Sequence, residues 1–429
     1  MSVALQPADS AGPVVREAIV LAGGEATRLG PVAERVPKCL QPVAGRPFLD
    51  HVLHELRRHG VRRVVLATGR LHDAVESHVG DGSAFGLEVA YSLEPEPLGT
   101  AGALGLASAQ IAGPIAYVCN GDSLLDCNLL ALAKRLREGP DADFVLALRR
   151  MPDASRYGTV ALGADGRIAE FREKSAGARG LVNGGVYCAR AEALRSLPAA
   201  PSSLEMEVFP DLAVRGRLAG VAVDGFFVDI GLPDSLAQAQ EGVAAWLRRP
   251  CAFLDRDGVI NVDTDYVHTP DEFRFMPGMP AAISALNDAG WLVVVITNQA
   301  GIGRGYYDEQ EFAEFTHWID DRLAEAGAHV DATYHCPHHP TEGTGEYLRD
   351  CECRKPKPGM LLRAIAEWGP DLKRSFMLGD TLNDMAAAAA AGVRGVRYVG
   401  GDLLAIVRQL IENDADGARE HTAAKGAGA

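Results

Sequence analysis

Apolar and polar positions alternate in blocks along the chain, and the blocks follow two different periods. Short apolar runs at 18–22, 61–68 and 115–119 are typical of buried strands. Residues 49–58 instead carry apolar side chains at the three- and four-residue spacing of an amphipathic helix. Strands that alternate with helices indicate βαβ units, so we expect an α/β fold with a largely parallel sheet.

A second alternation of the same kind begins after residues 248–250. Pro250 cannot continue a helix, and the next residues restart an apolar run. Predicted strands then follow at 252–254, 291–296 and 375–378. The pattern therefore predicts two α/β domains between a disordered leader and a flexible tail. The predicted ranges are 1–16 for the leader, 17–247 and 250–412 for the domains, and 413–429 for the tail.

Composition narrows the class of protein. A chain of 429 residues is long enough for two or three domains that each bury a core. A formal charge of -15 disfavours binding to nucleic acid or to an anionic membrane. No apolar run approaches the roughly 20 residues that span a bilayer, and the N-terminus lacks the features of a signal peptide. We expect a cytoplasmic enzyme that acts on small molecules, whereas the oligomeric state cannot be read from the sequence.

Three carboxylates of the second domain follow predicted strands. Asp255 and Asp257 come directly after an apolar run, and Asp380 follows another. A carboxylate at a strand end can attack phosphorus, and a second one two residues later can exchange the proton of the leaving oxygen. Mg²⁺ prefers a few carboxylates together with water and phosphate oxygens. We therefore predict an aspartyl-phosphate mechanism with Asp255, Asp257 and Asp380 at a magnesium site.

Further groups suited to phosphate lie between these carboxylates in the sequence. Thr297 and Asn298 end a predicted strand and can bind phosphoryl oxygens. Lys355 supplies a positive charge where negative charge gathers in the reaction. Because open α/β sheets bind ligands at the carboxyl ends of their strands, we expect all of these groups at one edge.

This order of motifs resembles the haloacid dehalogenase-like phosphatases, and the resemblance covers roughly residues 251–399. The segment between Asp255 and Thr297 is too short for a large cap domain. The resemblance implies a haloacid dehalogenase-like fold without a large cap, in which loops select the substrate.

Clustered cysteines in the loop 335–354 indicate a structural zinc site rather than a disulfide. The candidate ligands are three cysteines and one of three nearby histidines, namely Cys336, Cys351, Cys353 and His335, His338 or His339. The chemistry alone does not decide among the histidines. Since the last cysteine leads directly into Arg354 and Lys355, the metal would also hold the phosphate-binding cation in place.

The cysteine pattern, together with the run 298–306, is similar to the D-glycero-D-manno-heptose 1,7-bisphosphate 7-phosphatases. That resemblance implies zinc ligation by Cys336, His338, Cys351 and Cys353. It also assigns Arg304 and Arg354 to the sugar or its second phosphate, a task that suits a guanidinium group. Histidinol-phosphate phosphatases look similar and remain an alternative.

The first domain opens with a glycine-containing turn after its first strand. Gly23 and Gly24 let backbone N–H groups approach a triphosphate, and Arg28 and Lys38 supply positive charge. The segment resembles the nucleoside-diphosphate-sugar pyrophosphorylases, although Ala26 stands where their loop usually has a third glycine. The resemblance covers about residues 18–246 and implies a Rossmann-like, GT-A-type nucleotidyltransferase fold.

The same resemblance implies a role for several later positions. It assigns magnesium to Asp122 and Asp229, the base to Gly99 and Thr100, the sugar phosphate to Lys174, and the sugar hydroxyls to Asn183, Gly184 and Glu205. Mg²⁺ is expected in both domains. In the first domain, Lys38 and Arg28 would act mainly by positioning the substrates and by neutralising their negative charge.

The two domains fit one reaction sequence. A heptose 1,7-bisphosphate phosphatase makes heptose 1-phosphate, and a nucleotidyltransferase that resembles the D-glycero-α-D-manno-heptose 1-phosphate guanylyltransferases consumes it. The expected product is GDP-heptose, while the base and the anomer are not settled by the sequence. Two alternatives stay open: a histidinol-phosphate-type phosphatase fused to a mannose- or glucose-1-phosphate nucleotidyltransferase, and a regulatory protein with one inactive domain.

Overall fold

The structure, a computed structural model, describes residues 14–24, 36–139, 141–155, 159–172 and 179–426. Backbone contacts divide the chain into two compact units, the second of which begins at Pro233 and also takes in Val43–Gly45 and Asp126–Asn128. The helix Pro233–Trp246 is therefore grouped with the second unit, whereas the sequence predicts a boundary at 248–250. Of the predicted leader, residues 1–13 lie outside the described residues.

The described elements up to residue 246 are mostly strands. The strands are β1 Glu17–Leu21, β2 Pro42–Val43, β3 Arg46–Pro47, β4 Arg63–Thr68, β5 Glu88–Leu93, β6 Ile115–Asn120, β7 Ser123–Leu125, β8 Phe144–Met151, β9 Thr159–Leu162, β10 Ile168–Arg172, β11 Gly180–Arg190, β12 Leu218–Val223 and β13 Phe227–Asp229. The helices are α1 Phe48–Arg58, α2 His72–Val79, α3 Gly99–Ser108, α4 Leu129–Glu138, α5 Ala191–Arg195, α6 Phe209–Val214 and α7 Pro233–Trp246. Short 3-10 helices lie at Lys38–Leu40 and Ser83–Phe85, and a π-helix lies at Leu204–Val208.

After residue 250 strands and helices alternate regularly. The strands are β14 Cys251–Leu254, β15 Leu292–Asn298, β16 Ala332–Cys336, β17 Phe376–Gly379 and β18 Arg394–Arg397. The helices are α8 Met279–Asp288, α9 Ala300–Arg304, α10 Glu309–Glu325, α11 Gly359–Trp368, α12 Leu382–Ala390 and α13 Leu403–Gly426, with a short turn at Gly345–Tyr347.

The main sheet of the first unit is mixed, which corrects the expectation of a largely parallel sheet. Strands β6, β1, β4 and β5 are neighbours and pair in parallel. Beyond β6 the pairs β11–β6, β11–β8, β11–β9 and β10–β9 are antiparallel, and β12 returns to pair with β8 in parallel. Short connections such as the one between β9 and β10 permit only antiparallel neighbours, because a parallel pair needs a longer crossover.

The second unit has a parallel sheet of five strands, in the order β16-β15-β14-β17-β18. Ala252 and Leu254 of β14 pack on one face with α8, α10 and α13, whereas Cys251 and Phe253 pack on the other face with α11 and α12. Both faces of the central strand are therefore buried, which explains why its sequence is a continuous apolar run rather than an alternation.

No large cap interrupts the second unit. Between β14 and β15 the described chain forms a loop followed by the single helix α8, as the sequence predicts. The segment 413–426, predicted to be a flexible tail, continues α13. Its flexibility stays a prediction. Among the described helices, none combines the length and the apolar character that a bilayer span requires.

Candidate functional site

The second unit gathers its predicted catalytic groups at the carboxyl edge of the sheet. Asp255 directly follows β14, Thr297 and Asn298 end β15, and Asp380 directly follows β17. These strands are adjacent and parallel. The edge therefore receives several polar side chains while the apolar residues of each strand remain in the core.

Lys355 lies at the centre of this edge and is almost fully buried. Its Nζ lies 2.7 Å from Asp255 Oδ1 and 2.6 Å from Asp384 Oδ1, and it donates to the Ile296 carbonyl oxygen over 2.8 Å. Asn298 fixes the backbone of Lys355, because its amide donates to the Lys355 carbonyl and accepts from the Lys355 N–H. Burial alone would lower the pKa of Lys355, but the two carboxylates raise it, so the ammonium stays charged.

Asp255, Asp380 and Asp384 form a group of carboxylates that could hold a metal ion, with one oxygen from each within 4.8 Å of the others. Burial raises the pKa of Asp255 to about 7 against the charge of Lys355. Asp380 Oδ1 is buried and has no hydrogen-bond partner among the described residues. Three carboxylates against one ammonium leave negative charge uncompensated, and a divalent cation would neutralise it.

Asp257 lies outside that carboxylate group, although its side chain is also predicted to bind magnesium. Arg256 donates to both of its oxygens over 2.9 to 3.2 Å. Asn261 and Gln299 each add a further hydrogen bond of 3.0 Å. The carboxylate of Asp257 is thus held in a fixed orientation by protein donors, which suits proton transfer.

Gln299 links Asp257 to Thr297. Its Nε2 donates to Thr297 Oγ1 over 2.8 Å as well as to Asp257 Oδ2, and its Oε1 accepts from the Tyr307 hydroxyl over 2.6 Å. Because the Asp257 carboxylate can only accept, the Gln299 amide nitrogen must face it, and the hydroxyl of Tyr307 donates to the amide oxygen at the other end.

Four side chains at the end of β16 and in the following loop converge on a second possible metal position: Cys336, His338, Cys351 and Cys353. Their ligand atoms lie 3.2 to 3.7 Å apart for the five pairs measured. The edge of a tetrahedron with metal–sulfur bonds of about 2.3 Å is roughly 3.8 Å, so the set fits a small tetrahedral ion.

The structure also decides among the three histidines that the chemistry left open. His335 Nε2 lies 2.7 Å from Glu309, and the Nδ1 atom of His339 accepts from the backbone N–H groups of Thr341 and Glu342. Only His338 faces the sulfur atoms.

Two arginines predicted to bind the substrate lie close to this loop. Arg354 donates to the His338 carbonyl oxygen over 3.1 Å, and the next residue in the chain is Lys355. Arg304 ends α9 and is paired with Glu342. Both therefore belong to the region that joins the possible metal cluster to the edge of the sheet.

The first unit has a cleft of about 320 Å³ at the carboxyl ends of β1 and β6. Its lining includes six of the predicted site residues: Gly23, Gly24, Lys38, Gly99, Thr100 and Asp122. Strand β1 leads into the glycine turn and β6 leads into Asp122, so the sheet positions both sides of the cleft.

Lys38 brings the two predicted magnesium ligands of the first unit together. Its Nζ is paired with Asp122 and lies 3.7 Å from Asp229 Oδ1. Asp229 ends β13, which pairs with β7 directly beyond Asp122. The turn after β6 and the end of β13 thus bring both carboxylates to the same ammonium group, and magnesium binding there stays a prediction.

Steric clashes explain why two positions at the cleft are occupied by glycine. A Cβ on Gly23 would lie 2.5 Å from Glu94 Oε1, and one on Gly99 would lie 2.5 Å from the Ser202 carbonyl oxygen. Gly99 also has a φ of +67°, which disfavours any other residue. Gly24, by contrast, has open space around it, so a side chain there would project without a clash.

The predicted sugar-binding residues are largely engaged with one another. Thr100 Oγ1 donates to Glu205 Oε2 over 2.9 Å. Asn183 donates to the Tyr187 hydroxyl over 2.9 Å and accepts from Gly185 N–H. Gly184 packs so closely on Leu125 that a Cβ would lie 2.3 Å from its Cδ2 atom. Contacts between these residues and a sugar stay a prediction. Arg28 and Lys174 lie outside the described residues.

Three residues of these sites received no role in the sequence analysis. Glu94 lines the cleft directly after β5, Asp384 contacts Lys355, and Gln299 orients Asp257. Glu94 directly follows a strand, whereas Asp384 and Gln299 adjoin motifs that the sequence analysis recognised. These positions were the signal available in the sequence. Their contacts, however, come from segments far apart in the sequence.

Two family models match the chain, and their ranges overlap between residues 207 and 245. The nucleotidyl transferase family model matches residues 17–245, and the haloacid dehalogenase-like hydrolase model matches residues 207–392. The D-glycero-beta-D-manno-heptose-1,7-bisphosphate 7-phosphatase of Pasteurella multocida (strain Pm70) is 51% identical over 147 residues, which are 34% of this chain and 79% of that protein. The protein of the same name from Rhodopseudomonas palustris (strain ATCC BAA-98 / CGA009) is 47% identical over 165 residues, 38% of this chain and 91% of that one.

Among solved structures, HddC from Yersinia pseudotuberculosis aligns with 53% of this chain and 100% of its own, at 27% identity and a TM-score of 0.48. The first family model spans more than half of the chain, and the second half covers most of its relatives at about half identity. The chain therefore belongs to the nucleotidyl transferase family and carries a haloacid dehalogenase-like hydrolase domain, which makes it an enzyme of both classes.

Proposed function

We propose that the second domain removes the 7-phosphate of D-glycero-D-manno-heptose 1,7-bisphosphate and that the first domain transfers GMP from GTP to the resulting heptose 1-phosphate. One observation carries the proposal: the second domain is about half identical to phosphatases named for this bisphosphate. Their reaction leaves a sugar 1-phosphate, and a sugar 1-phosphate is the acceptor that the resemblance of the first domain implies. The products would be GDP-heptose and pyrophosphate.

The phosphatase step follows from the edge of the parallel sheet. Asp255 attacks the phosphorus of the 7-phosphate, the bond between phosphorus and the C7 oxygen breaks, and Asp257 donates a proton to that oxygen. Water then attacks the phosphorus of the aspartyl-phosphate while Asp257 takes up its proton, and inorganic phosphate leaves. Lys355 and Thr297 support the negative charge on the phosphoryl oxygens.

Magnesium and zinc are part of the proposal. Asp255 and Asp380 fit Mg²⁺, since Asp380 Oδ1 is a buried oxygen without a partner in the described part of the chain. When bound, the ion would neutralise phosphate charge and orient the phosphoryl group. Zinc fits the thiolate and imidazole ligands Cys336, His338, Cys351 and Cys353, and a set closed by four protein ligands is structural rather than catalytic.

In the first domain the resemblance and the cleft support nucleotidyl transfer. An oxygen of the sugar 1-phosphate attacks the α-phosphorus of the nucleotide, and the bond to the bridging oxygen breaks with release of pyrophosphate. Lys38 is placed to balance this charge, and Asp122 and Asp229 fit Mg²⁺ because both carboxylates approach one cation.

The preference for GTP is supported by Glu94. Its carboxylate lines the cleft and accepts from Leu98 N–H over 3.0 Å through Oε2. A carboxylate can accept from the adjacent N1–H and N2–H groups of guanine, whereas uracil, thymine and cytosine do not offer two adjacent donors of this kind. We expect Glu94→Gln to weaken this preference, as measured by kcat/KM for GTP relative to UTP.

A one-pot assay tests the proposal. Purified protein with Mg²⁺ receives each anomer of the heptose bisphosphate and each nucleoside triphosphate in turn, and mass spectrometry follows the products beside counts of phosphate and pyrophosphate. GDP-heptose from GTP and one anomer is the expected result.

Other results of the assay lead elsewhere. Phosphate release without a nucleotide sugar would retain the phosphatase and redirect the first domain to mannose or glucose 1-phosphate. Release of neither phosphate nor pyrophosphate would exclude heptose and make histidinol phosphate the next substrate to test. The phosphatase relatives are named for the beta anomer, whereas the guanylyltransferases that the first domain resembles take the alpha anomer. Testing each anomer separately therefore decides which one the protein uses.

A further inference from the structure

One carboxylate in the loop after β16 lies between two nitrogen donors. Glu342 is paired through Oε2 with Arg304 Nη2, and the same oxygen lies 3.6 Å from His339 Nε2. The Glu342 side chain is 52% exposed, whereas those of Arg304 and His339 are only 24% and 16% exposed. The donors are thus set into the protein, and the carboxylate approaches them from the solvent side.

The hydrogen bonds of His339 show which of its nitrogens faces Glu342 as a donor. Nδ1 accepts from the backbone N–H groups of Thr341 and Glu342, over 3.3 and 3.0 Å. A neutral imidazole that accepts at Nδ1 carries its proton at Nε2. The N–H of His339 and the guanidinium of Arg304 therefore both point at the same acceptor.

Arg304 has unused donor capacity. Its Nε is buried and has no hydrogen-bond partner among the described residues, while the guanidinium carbon lies 5.3 Å from the ring centre of Tyr266. A guanidinium offers five N–H donors in a planar fork, so it suits an acceptor with more oxygens than a single carboxylate oxygen supplies.

The position of this pair connects it with the phosphatase edge. Thr344 donates to the Gly303 carbonyl oxygen through N and Oγ1, over 2.8 and 3.0 Å, which clamps the loop to α9. On the other side, Arg354 donates to the carbonyl oxygen of His338, the residue before His339, and directly precedes Lys355. The donors are held by the segments that also hold the phosphate-binding lysine.

The family resemblance already implies that Arg304 engages the sugar or its second phosphate. We infer that His339 shares this subsite and that Glu342 occupies it until the second phosphate displaces its carboxylate. The inference rests on the proposed phosphatase function and deepens it, because it assigns discrimination between bisphosphate and monophosphate to one side chain. A phosphate dianion carries more charge and more acceptor oxygens than a carboxylate, so it can displace Glu342. A sugar hydroxyl lacks that charge and leaves the Arg304–Glu342 pair closed.

Steady-state kinetics on the full-length protein test this inference with two substrates. One is heptose 1,7-bisphosphate, and the other is heptose 7-phosphate, which carries only the phosphate to be removed. For the bisphosphate, Glu342→Gln should lower KM about two- to fivefold, the range expected for a partly exposed ion pair, with kcat unchanged. For heptose 7-phosphate, Glu342→Gln should leave KM unchanged.

Arg304→Gln should change KM for the bisphosphate in the opposite direction. It should raise KM for the bisphosphate at least about tenfold and leave KM for heptose 7-phosphate unchanged. In the double variant, replacing Glu342 should have no further effect, because its partner is gone. The matched control is Glu346→Gln, an exposed glutamate of the same loop whose replacement changes the charge equally and should alter neither substrate.

The outcomes separate the subsite from the function. If the wild type hydrolyses the bisphosphate but Glu342→Gln shifts both substrates equally, or shifts neither, the subsite is wrong and the function stands. A wild type that hydrolyses neither heptose phosphate would overturn the function and this inference together. A substrate-specific fall in KM that disappears without Arg304 supports the subsite.

Discussion

Among single residues, Gln299 shows how a side chain without a catalytic role can orient two catalytic candidates. It is buried and distributes one amide between Asp257 and Thr297 on one side and Tyr307 on the other. Burial raises the pKa of Tyr307 to about 12, so its hydroxyl keeps the proton that it donates to Gln299. The orientation of Asp257 therefore depends on a tyrosine that does not touch it.

We expect Tyr307→Phe to lower kcat for phosphate release about three- to tenfold. Without the hydroxyl, the Gln299 amide oxygen loses its donor, a hydrogen bond of about 0.5–1.5 kcal/mol, and the amide is held less firmly against Asp257 and Thr297. Initial rates at saturating substrate measure this effect. Tyr398→Phe is the control, because that hydroxyl donates to Gly401 instead. An unchanged kcat for Tyr307→Phe would mean that Gln299 does not orient Asp257.

Two glycines of the nucleotide cleft should respond differently to the same added methyl group. Gly99→Ala is expected to lower the free energy of unfolding by at least about 1–2 kcal/mol, since position 99 is left-handed and the new Cβ would meet the Ser202 carbonyl oxygen. Gly24→Ala should leave stability unchanged but raise KM for the nucleotide, because its Cβ projects into open space in the cleft. Thermal unfolding and initial rates separate the two effects, and equal destabilisation would contradict this explanation.

At the scale of elements, the loop between β16 and α11 combines two tasks. It brings the four possible zinc ligands together, and it leads from the last of them through Arg354 into the lysine that binds Asp255. Thr344 donates to Gly303 and Asn298 donates to Lys355, so parts of this loop are held without a metal, and a bound metal would fix the segment that carries the four ligands. The phosphatase edge should therefore depend on zinc without direct contact between zinc and substrate.

His338→Ala should lose bound zinc and most phosphate release while nucleotidyl transfer is retained. The reason is that an open ligand set releases the loop and displaces Arg354 and Lys355 from the edge. Metal analysis and phosphate release measure the two effects. His335→Ala is the matched control, since this histidine faces Glu309 and should keep its zinc. Full zinc content in the His338 variant would show that the ligand set is wrong.

At the scale of the whole molecule, each compact unit has its own sheet, its own buried core and its own group of converging carboxylates. The described catalytic candidates of each site come from one unit: Asp255, Asp257 and Lys355 belong to the second, and Lys38 belongs to the first. The two activities should therefore be separable by single substitutions in the full-length chain.

We expect Asp255→Asn to reduce phosphate release at least about a thousandfold and to leave nucleotidyl transfer from heptose 1-phosphate intact. Asp229→Asn should do the reverse, with a loss of roughly a hundredfold or more in nucleotidyl transfer. Each variant is the control for the other, and both reactions are followed in the same preparations. If neither substitution lowers its activity, the regulatory alternative, in which a domain is inactive, regains support.

Much of the fold and of both sites was predictable from local sequence. Apolar runs with polar residues at their ends located the strands β1, β6, β14, β15 and β17, and the absence of a large cap followed from chain length alone. The candidate acids after these strands were predictable for the same reason, because the carboxyl end of a buried strand is where its side chains reach solvent.

Only the tertiary structure decided which distant residues meet. The antiparallel half of the first sheet, the pairing of Asp384 with Lys355 and the position of Glu342 between Arg304 and His339 all depend on strand order and loop paths. Hydrophobic period and motif spacing describe each segment by itself, and they carry no information on which segment lies opposite. The sequence by itself thus determined the elements and the kind of chemistry at their ends, whereas packing between elements determined the partners that give each group its orientation and charge.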